Sequence, residues 1–176
     1  ESMFRCASSA KQSGVTLMGL LRPEDGIETN SKHLTLLKEL GYSIAYIRQA
    51  TGLTQADDDV VVANLAPIIR LANDIGLPIG LYSISDVSGA PLTAAAAARL
   101  VGRAGGENIV AVKVTEADYE ASTLSFLRHP ELTHLHIVQG WDPHLARALA
   151  DGQRYASDGS KRCGETIGAM SFAVFQ

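Results

Sequence analysis

Cysteine is scarce in this chain: Cys6 and Cys163 are the two in 176 residues. They stand too far apart for a CxxC metal pair and are too few for a disulfide framework, which fits a reducing compartment. Basic residues are not in excess either, with 15 Lys+Arg against 19 Asp+Glu, a formal charge of -4 and a pI near 5.7. That balance removes the electrostatic footprint that binding a phosphate backbone requires, so no nucleic-acid partner is expected. No apolar run reaches the roughly 18 to 20 residues that span a bilayer, and no charged-then-apolar leader precedes a small-residue cleavage site. No membrane partner and a cytoplasmic location are therefore expected. Nor does any GxGxxG or GxxxxGK[ST] loop follow an apolar run, which argues against a nucleotide site. What is present is a chain 46% hydrophobic and 19% charged, the profile of one globular domain.

Its dominant pattern is short apolar runs alternating with longer amphipathic segments, the signature of parallel strands buried on both faces and crossed over by helices. The spacing predicts strands over 15–21, 43–48, 78–83, 109–114 and 133–139. Between and after them it predicts helices over 31–40, 57–73, 93–101, 117–127 and 143–150. The helix over 93–101 carries five consecutive alanines, Ala94 to Ala98, and stands on propensity alone. The strand over 109–114 is marked by four β-branched residues in six. Five strand-helix units over 15–152, with no internal linker, predict a single α/β domain across 1–176. Residues 153–176 are left open, since the apolar stretch 167–175 suits either a terminal helix or a last strand. Five units fit a small doubly wound sheet, or part of an eight-fold barrel, which typically needs roughly 250 residues. In both architectures chemistry belongs at the C-terminal ends of the strands.

Read with a period of two, the strand Ile109–Val114 puts Ile109, Ala111 and Lys113 on one face and three valines on the other. Lys113 is an ammonium in an otherwise apolar strand, near its C-terminal end. Burial of such a group is relieved by loss of its proton or by a carboxylate partner, for which Glu116 is at hand. Only the neutral amine of a lysine attacks a carbonyl to form a Schiff base. In the preceding strand Tyr82 shares a face with Gly80, and if both strands turn those faces to a barrel interior, Tyr82 and Lys113 meet at its mouth. A phenol there can pass protons to and from a carbonyl adduct. The structural alternatives are a lysine ending its strand in solvent and a tyrosine capping the core.

Leu81-Tyr82 with Gly89 seven residues on, Val112-Lys113 after Asn-Ile-Val, and Gln139-Gly140 closing the next strand resemble the dihydrodipicolinate synthase and N-acetylneuraminate lyase superfamily. The resemblance covers roughly 15–152 and implies a (β/α)8 TIM barrel, here its third to seventh strands, with the outer strands missing or unrecognised. It implies a class I lyase that binds pyruvate or another 2-keto acid as a lysine imine, with an aldehyde as second substrate and no dissociable cofactor. By position Lys113 resembles the imine-forming lysine, Tyr82 the proton-relay tyrosine and Gly140 the backbone site beside the keto acid. A homo-oligomer, dimer or tetramer, is implied by the same resemblance. The chain also departs from the pattern. The family's Thr-Thr-Gly-Glu turn has no assigned counterpart, Glu1-Ser2 being all that stands in its place, and no tyrosine occurs around 49–51 to complete the relay. Val87 stands where synthases acting on aspartate semialdehyde place an arginine, leaving Ser85 and Ser88 as the nearby donors. A valine cannot imitate the two-pronged ion pair of an arginine with a carboxylate. A preference for an uncharged or hydroxylated aldehyde is therefore expected, as in an aldolase or dehydratase of 2-keto-3-deoxy sugar acids. A keto-acid-binding barrel without turnover is the non-enzymatic alternative.

His134 and His136, two apart in the expected strand, would share a face and could ligate a metal. A metal site needs three or more converging ligands, none is suggested nearby, and no metal is expected. Asp57-Asp58-Asp59 reads as a helix start rather than an acidic cluster. Trp141 and Asp142 could line a pocket, with Asp142 equally suited to cap the helix that follows. His33, His129 and His144 fall on helix or loop surfaces by pattern.

Overall fold

The computed structural model describes residues 2–13, 16–53, 57–155 and 161–163. A first helix, α1 (Ser2–Ser13), precedes strand β1 (Met18–Leu21) and helix α2 (Ile27–Glu39). Then follow β2 (Ile44–Arg48), α3 (Asp58–Ile75), β3 (Ile79–Ser83), the single turn α4 (Ser85–Ser88) and α5 (Ala94–Val101). The last units are β4 (Ile109–Val114), α6 (Ser125–Arg128), β5 (His136–Gln139) and α7 (Leu145–Asp151). A small antiparallel ribbon pairs β6 (Gln153–Tyr155) with β7 (Lys161–Cys163). The expected strand residue Val15 and the apolar stretch 167–175 lie outside the described residues.

Caps explain the helix limits. Asp57 accepts a hydrogen bond from the Val60 amide at 3.0 Å, and Asp58 and Asp59 lie in the first turn of α3, where the helix dipole favours negative charge. At the other end Gly76 adopts a left-handed conformation, φ 74°, which favours glycine. Thr93 caps α5 by accepting from Ala96.

Elsewhere the elements depart from the expected ranges. Helix α2 begins at Ile27, four residues before the expected 31, because the turn Pro23–Asp25 and Gly26 feed directly into it. The expected helix over 117–127 is a π-helical turn, Glu120–Leu124, followed by the short α6. The segment before β5 closes as a 3₁₀ turn, Pro130–Leu132, so the strand begins only at His136 and His134 lies outside it.

The five strands form one parallel sheet in the order β1-β2-β3-β4-β5. A doubly wound sheet reverses its strand order at a switch point. Here no reversal occurs, and the helices that cross over between successive neighbours pack together on one face of the sheet. This is barrel winding. The helix-facing side chains Leu21, Ala45, Ile47, Ile79, Leu81, Val112, Val114 and Ile137 are buried against Leu34, Val62, Leu65, Ile69, Ala97 and Phe126. Burial of each large aliphatic side chain stabilises the fold by about 1.5 to 3 kcal/mol. The opposite face, the inner wall of a barrel, carries Met18, Leu20, Tyr46, Tyr82, Lys113 and Val138, with Met18 56% and Leu20 53% exposed.

Candidate active site

In a parallel sheet, register partners project to the same side. Arg48, Tyr82, Lys113 and Val138 are successive partners from β2 to β5, so they form one rung at the C-terminal end of the sheet. Beyond the strands, the Thr115 amide donates to the Ser83 carbonyl at 2.9 Å and the Gly140 amide to the Val114 carbonyl at 2.7 Å. These two bonds carry the ladder past the rung and hold the ends of β3, β4 and β5 together.

A cavity of about 250 Å³ opens on this face between Met18, Leu20, Tyr46, Tyr82, Lys113 and Val138. The Lys113 Nζ lies over the Tyr82 ring, 4.4 Å from its centroid. A ring face attracts an amine or ammonium group lying over it, and this contact positions the end of the Lys113 side chain. Among the described residues Lys113 makes no ion pair. The pairing with Glu116 weighed from the sequence does not form. Glu116 is buried and its carboxylate is occupied by Ser83 and Ser85.

Tyr82 is held on both sides. Its ring meets Tyr46 edge-to-face at 6.5 Å, and its hydroxyl accepts from Thr115 Oγ1 at 3.3 Å. Tyr46 fits because residue 80 is glycine: a Cβ there would stand 2.2 Å from Tyr46 Cε1. Burial pushes the Tyr46 phenol up, which keeps this second ring neutral. Gly140 has the same relation to the reactive side: a Cβ on it would lie 2.2 Å from Thr115 Oγ1 and 3.2 Å from Lys113 Cε.

Lys113, Tyr82 and Gly140, placed together by sequence pattern, are together in the fold. Ser85 instead heads α4 and gives both its amide and its hydroxyl to Glu116. Val87 lies on α4 and is 45% exposed, outside the cavity lining. His134 and His136 do not share a strand, and among the described residues no three His, Cys, Asp or Glu side chains converge. Trp141 precedes the 3₁₀ turn Asp142–His144, and its amide donates to Gln139 Oε1 at 2.9 Å.

Two groups escaped the sequence reading. Thr115 lies two residues beyond Lys113, so the period of two already put it on the same face. The second is the segment around 49–51, where a relay tyrosine was sought. There the nearly buried Arg48 pairs with Glu24, donates to the Gln49 carbonyl at 2.8 Å and lies 3.3 Å from Thr51 Oγ1. Burial alone would raise the Glu24 carboxyl, but hydrogen bonds from Arg48, its own amide and Thr51 outweigh it and hold the group below its ordinary value. The pair ties the loop after β1 to the end of β2.

No family model and no curated protein matches the sequence. Solved structures do. The dihydrodipicolinate synthase from Aquifex aeolicus superposes with a TM-score of 0.69 at 15% identity over 98% of this chain and 52% of its own. That from Thermotoga maritima gives 0.71 at 14% identity, over 97% and 51%. The chloride-inhibited enzyme from Acinetobacter baumannii, complexed with pyruvate, gives 0.66 at 16% identity, over 98% and 51%. The fold is that of the dihydrodipicolinate synthases. This chain spans about half the length of those relatives in structure, in keeping with five βα units of a parallel barrel.

Proposed function

We propose that this protein is a class I lyase or synthase in which Lys113 forms an imine with pyruvate or another 2-keto acid. The observation that carries the reading is the Lys113 amine over the Tyr82 ring, in an apolar cavity at the C-terminal rim of a sheet with the dihydrodipicolinate synthase fold. A neutral Lys113 amine adds to the keto carbon, and the resulting carbinolamine loses its hydroxyl as water to leave the imine. The iminium draws electrons from the neighbouring carbon, which gives up a proton and becomes the nucleophile toward an aldehyde. Run backward, the same electron flow cleaves the carbon-carbon bond. Tyr82, hydrogen-bonded to Thr115, carries the protons that these steps release and consume. Hydrolysis of the imine returns the lysine. Gly140 leaves the approach to Lys113 open. The reading requires no dissociable cofactor, and its small-molecule partners are a 2-keto acid and an aldehyde. The acidic charge balance and widely spaced cysteines support a cytoplasmic setting, and the resemblance to the family supports a homo-oligomer.

By the resemblance alone, since Val87 does not line the cavity, a valine where the family's aspartate-semialdehyde synthases place an arginine favours an acceptor without a second carboxylate, as in aldolases or dehydratases of 2-keto-3-deoxy sugar acids. Loss of an arginine-carboxylate bond removes roughly 1.5 to 3 kcal/mol, a handicap of tenfold or more for aspartate semialdehyde. Incubation with pyruvate and borohydride should leave a covalent adduct on the peptide containing Lys113. Label only on exposed lysines, or none with any 2-keto acid tested, overturns the assignment. Side-by-side kcat/KM values for aspartate semialdehyde and an uncharged aldehyde then decide the acceptor class.

A further inference from the structure

Three residues beyond Lys113 stands a carboxylate that the proposed chemistry does not use. Glu116 is 4% exposed. A buried carboxylate is costly unless donors converge on it, and here they do. Ser83 Oγ donates to Oε1 at 2.6 Å, the Ser85 amide to the same oxygen at 2.9 Å, and the Ser85 hydroxyl to Oε2. Ser83 Oγ in turn accepts from the Leu92 amide at 2.9 Å. One carboxylate thus secures both ends of the segment between β3 and α5: Ser85 at its start directly, and Leu92 at its end through Ser83. Its middle rests on the end of β2, where Gln49 Nε2 donates to the Ala90 carbonyl at 3.3 Å and Ser88 Oγ to the Gln49 carbonyl at 3.4 Å.

The secured segment begins two residues after Tyr82, at the C-terminal rim where barrel chemistry is carried out, and it bears Ser85, Val87 and Ser88. We infer that Glu116 is a positioning residue for the acceptor aldehyde: it fixes the segment 84–92, the loop that leaves β3 at the C-terminal rim beside Tyr82, so that its loss weakens acceptor binding while the imine still forms. The inference rests on the proposed lysine chemistry and adds a specificity device to it. The division of labour follows from the geometry. Lys113 and Tyr82 are held by strand register, by the Thr115 hydroxyl and by the Tyr46 ring, none of which depends on Glu116. The other ties of the segment 84–92 are the two bonds to Gln49 and the burial of Leu92 in the core, and none of them reaches its start at Ser85.

The test uses the intact protein with pyruvate as donor and glyceraldehyde as probe acceptor. Glu116→Ala is expected to raise KM for glyceraldehyde about tenfold or more, with kcat and the rate of borohydride-trapped pyruvate adduct within about threefold of the parent. Amide exchange should speed up at Ser85, Ser88 and Leu92. Glu116→Gln should restore both, since its carbonyl can accept from Ser83 and the Ser85 amide while its amide donates to a reoriented Ser85 hydroxyl. Should Glu116→Ala fail to fold, Ser83→Ala removes the Leu92 link and one donor to Glu116 while leaving both Ser85 bonds, and should give faster exchange at Leu92 with a smaller rise in KM. An unchanged KM despite faster exchange overturns the inference, as does a fall in imine formation equal to the loss of acceptor use. If the parent itself forms no pyruvate adduct, the lysine chemistry fails instead. Exchange then judges Glu116 alone, and unaltered protection in Glu116→Ala overturns its role.

Discussion

A single methyl group at residue 140 probes the reactive side of the site. Gly140 is not in the left-handed region, so alanine is compatible with its backbone, and the obstacle is space alone. The new Cβ would stand 2.2 Å from Thr115 Oγ1, closer than real contacts allow, and 3.2 Å from both Lys113 Cε and the Val114 carbonyl oxygen. The Thr115 side chain must turn away, and its bond to the Tyr82 hydroxyl is lost. Overpacking of this kind costs about 1 to 3 kcal/mol, and the hydrogen bond, long at 3.3 Å, adds about 0.5 kcal/mol. For a chain of this size that corresponds to a fall in Tm of about 3 to 14 °C. Urea unfolding and the rate of borohydride trapping with pyruvate should both report it, trapping falling about tenfold because the Lys113 stem is displaced. A double-mutant cycle isolates the cause. In a Thr115→Ala background the offending oxygen is gone, so Gly140→Ala should cost less by at least about 1 kcal/mol. Strict additivity of the two changes would refute the contact argument.

Two other outcomes follow from the same geometry. Tyr82→Phe removes the hydroxyl but keeps the ring beneath Lys113, so kcat should fall about 10²-fold while the pyruvate adduct still forms; unchanged turnover would assign Tyr82 to packing. Glu24→Gln removes a carboxylate whose proton affinity is lowered in the fold, a group that stabilises above its unfolded value near 4.5 and ceases to do so as pH falls through its folded value. The variant should therefore be less stable than the parent at pH 7, by about 1 to 2 kcal/mol given that Glu24 is partly exposed and Arg48 is not, and the difference should vanish in acid; a gap that persists at pH 2 contradicts the ion-pair account.

The contrast between sequence and structure is sharpest at β4 and the residues after it. Alternation in Ile109–Val114 was enough to separate Lys113 from the valines, because strand side chains alternate whatever the strand packs against. The same alternation puts Thr115 on the face of Lys113. Glu116 was not readable: its serine partners lie more than thirty residues away, and a nearby lysine looked an equally good partner. The histidine pair failed for a related reason. The 3₁₀ turn at Pro130–Leu132 runs on into a turn over 133–135, closed by the Leu135 amide on the Leu132 carbonyl, and this takes the first residues that alternation gives to the strand, His134 among them.

Local chemistry in the sequence determined the βα alternation, the cap at Asp57, the helix stop at Gly76 and the common face of Tyr82 and Lys113. Each depends on residues within a few positions of one another. Strand order was decided by tertiary structure alone, because an apolar run reads the same in a doubly wound sheet and in a barrel; which neighbour it takes depends on which crossovers bury the helices together. The 4.4 Å approach of Lys113 to the Tyr82 ring, the bond from Thr115 to the Tyr82 hydroxyl and the need for glycine at 80 and 140 are likewise products of register between strands. Parallel neighbours are joined by crossovers of a dozen or more residues, so which residue of one strand stands beside which of the next is fixed by how the intervening helix packs and not by residues near one another in the chain.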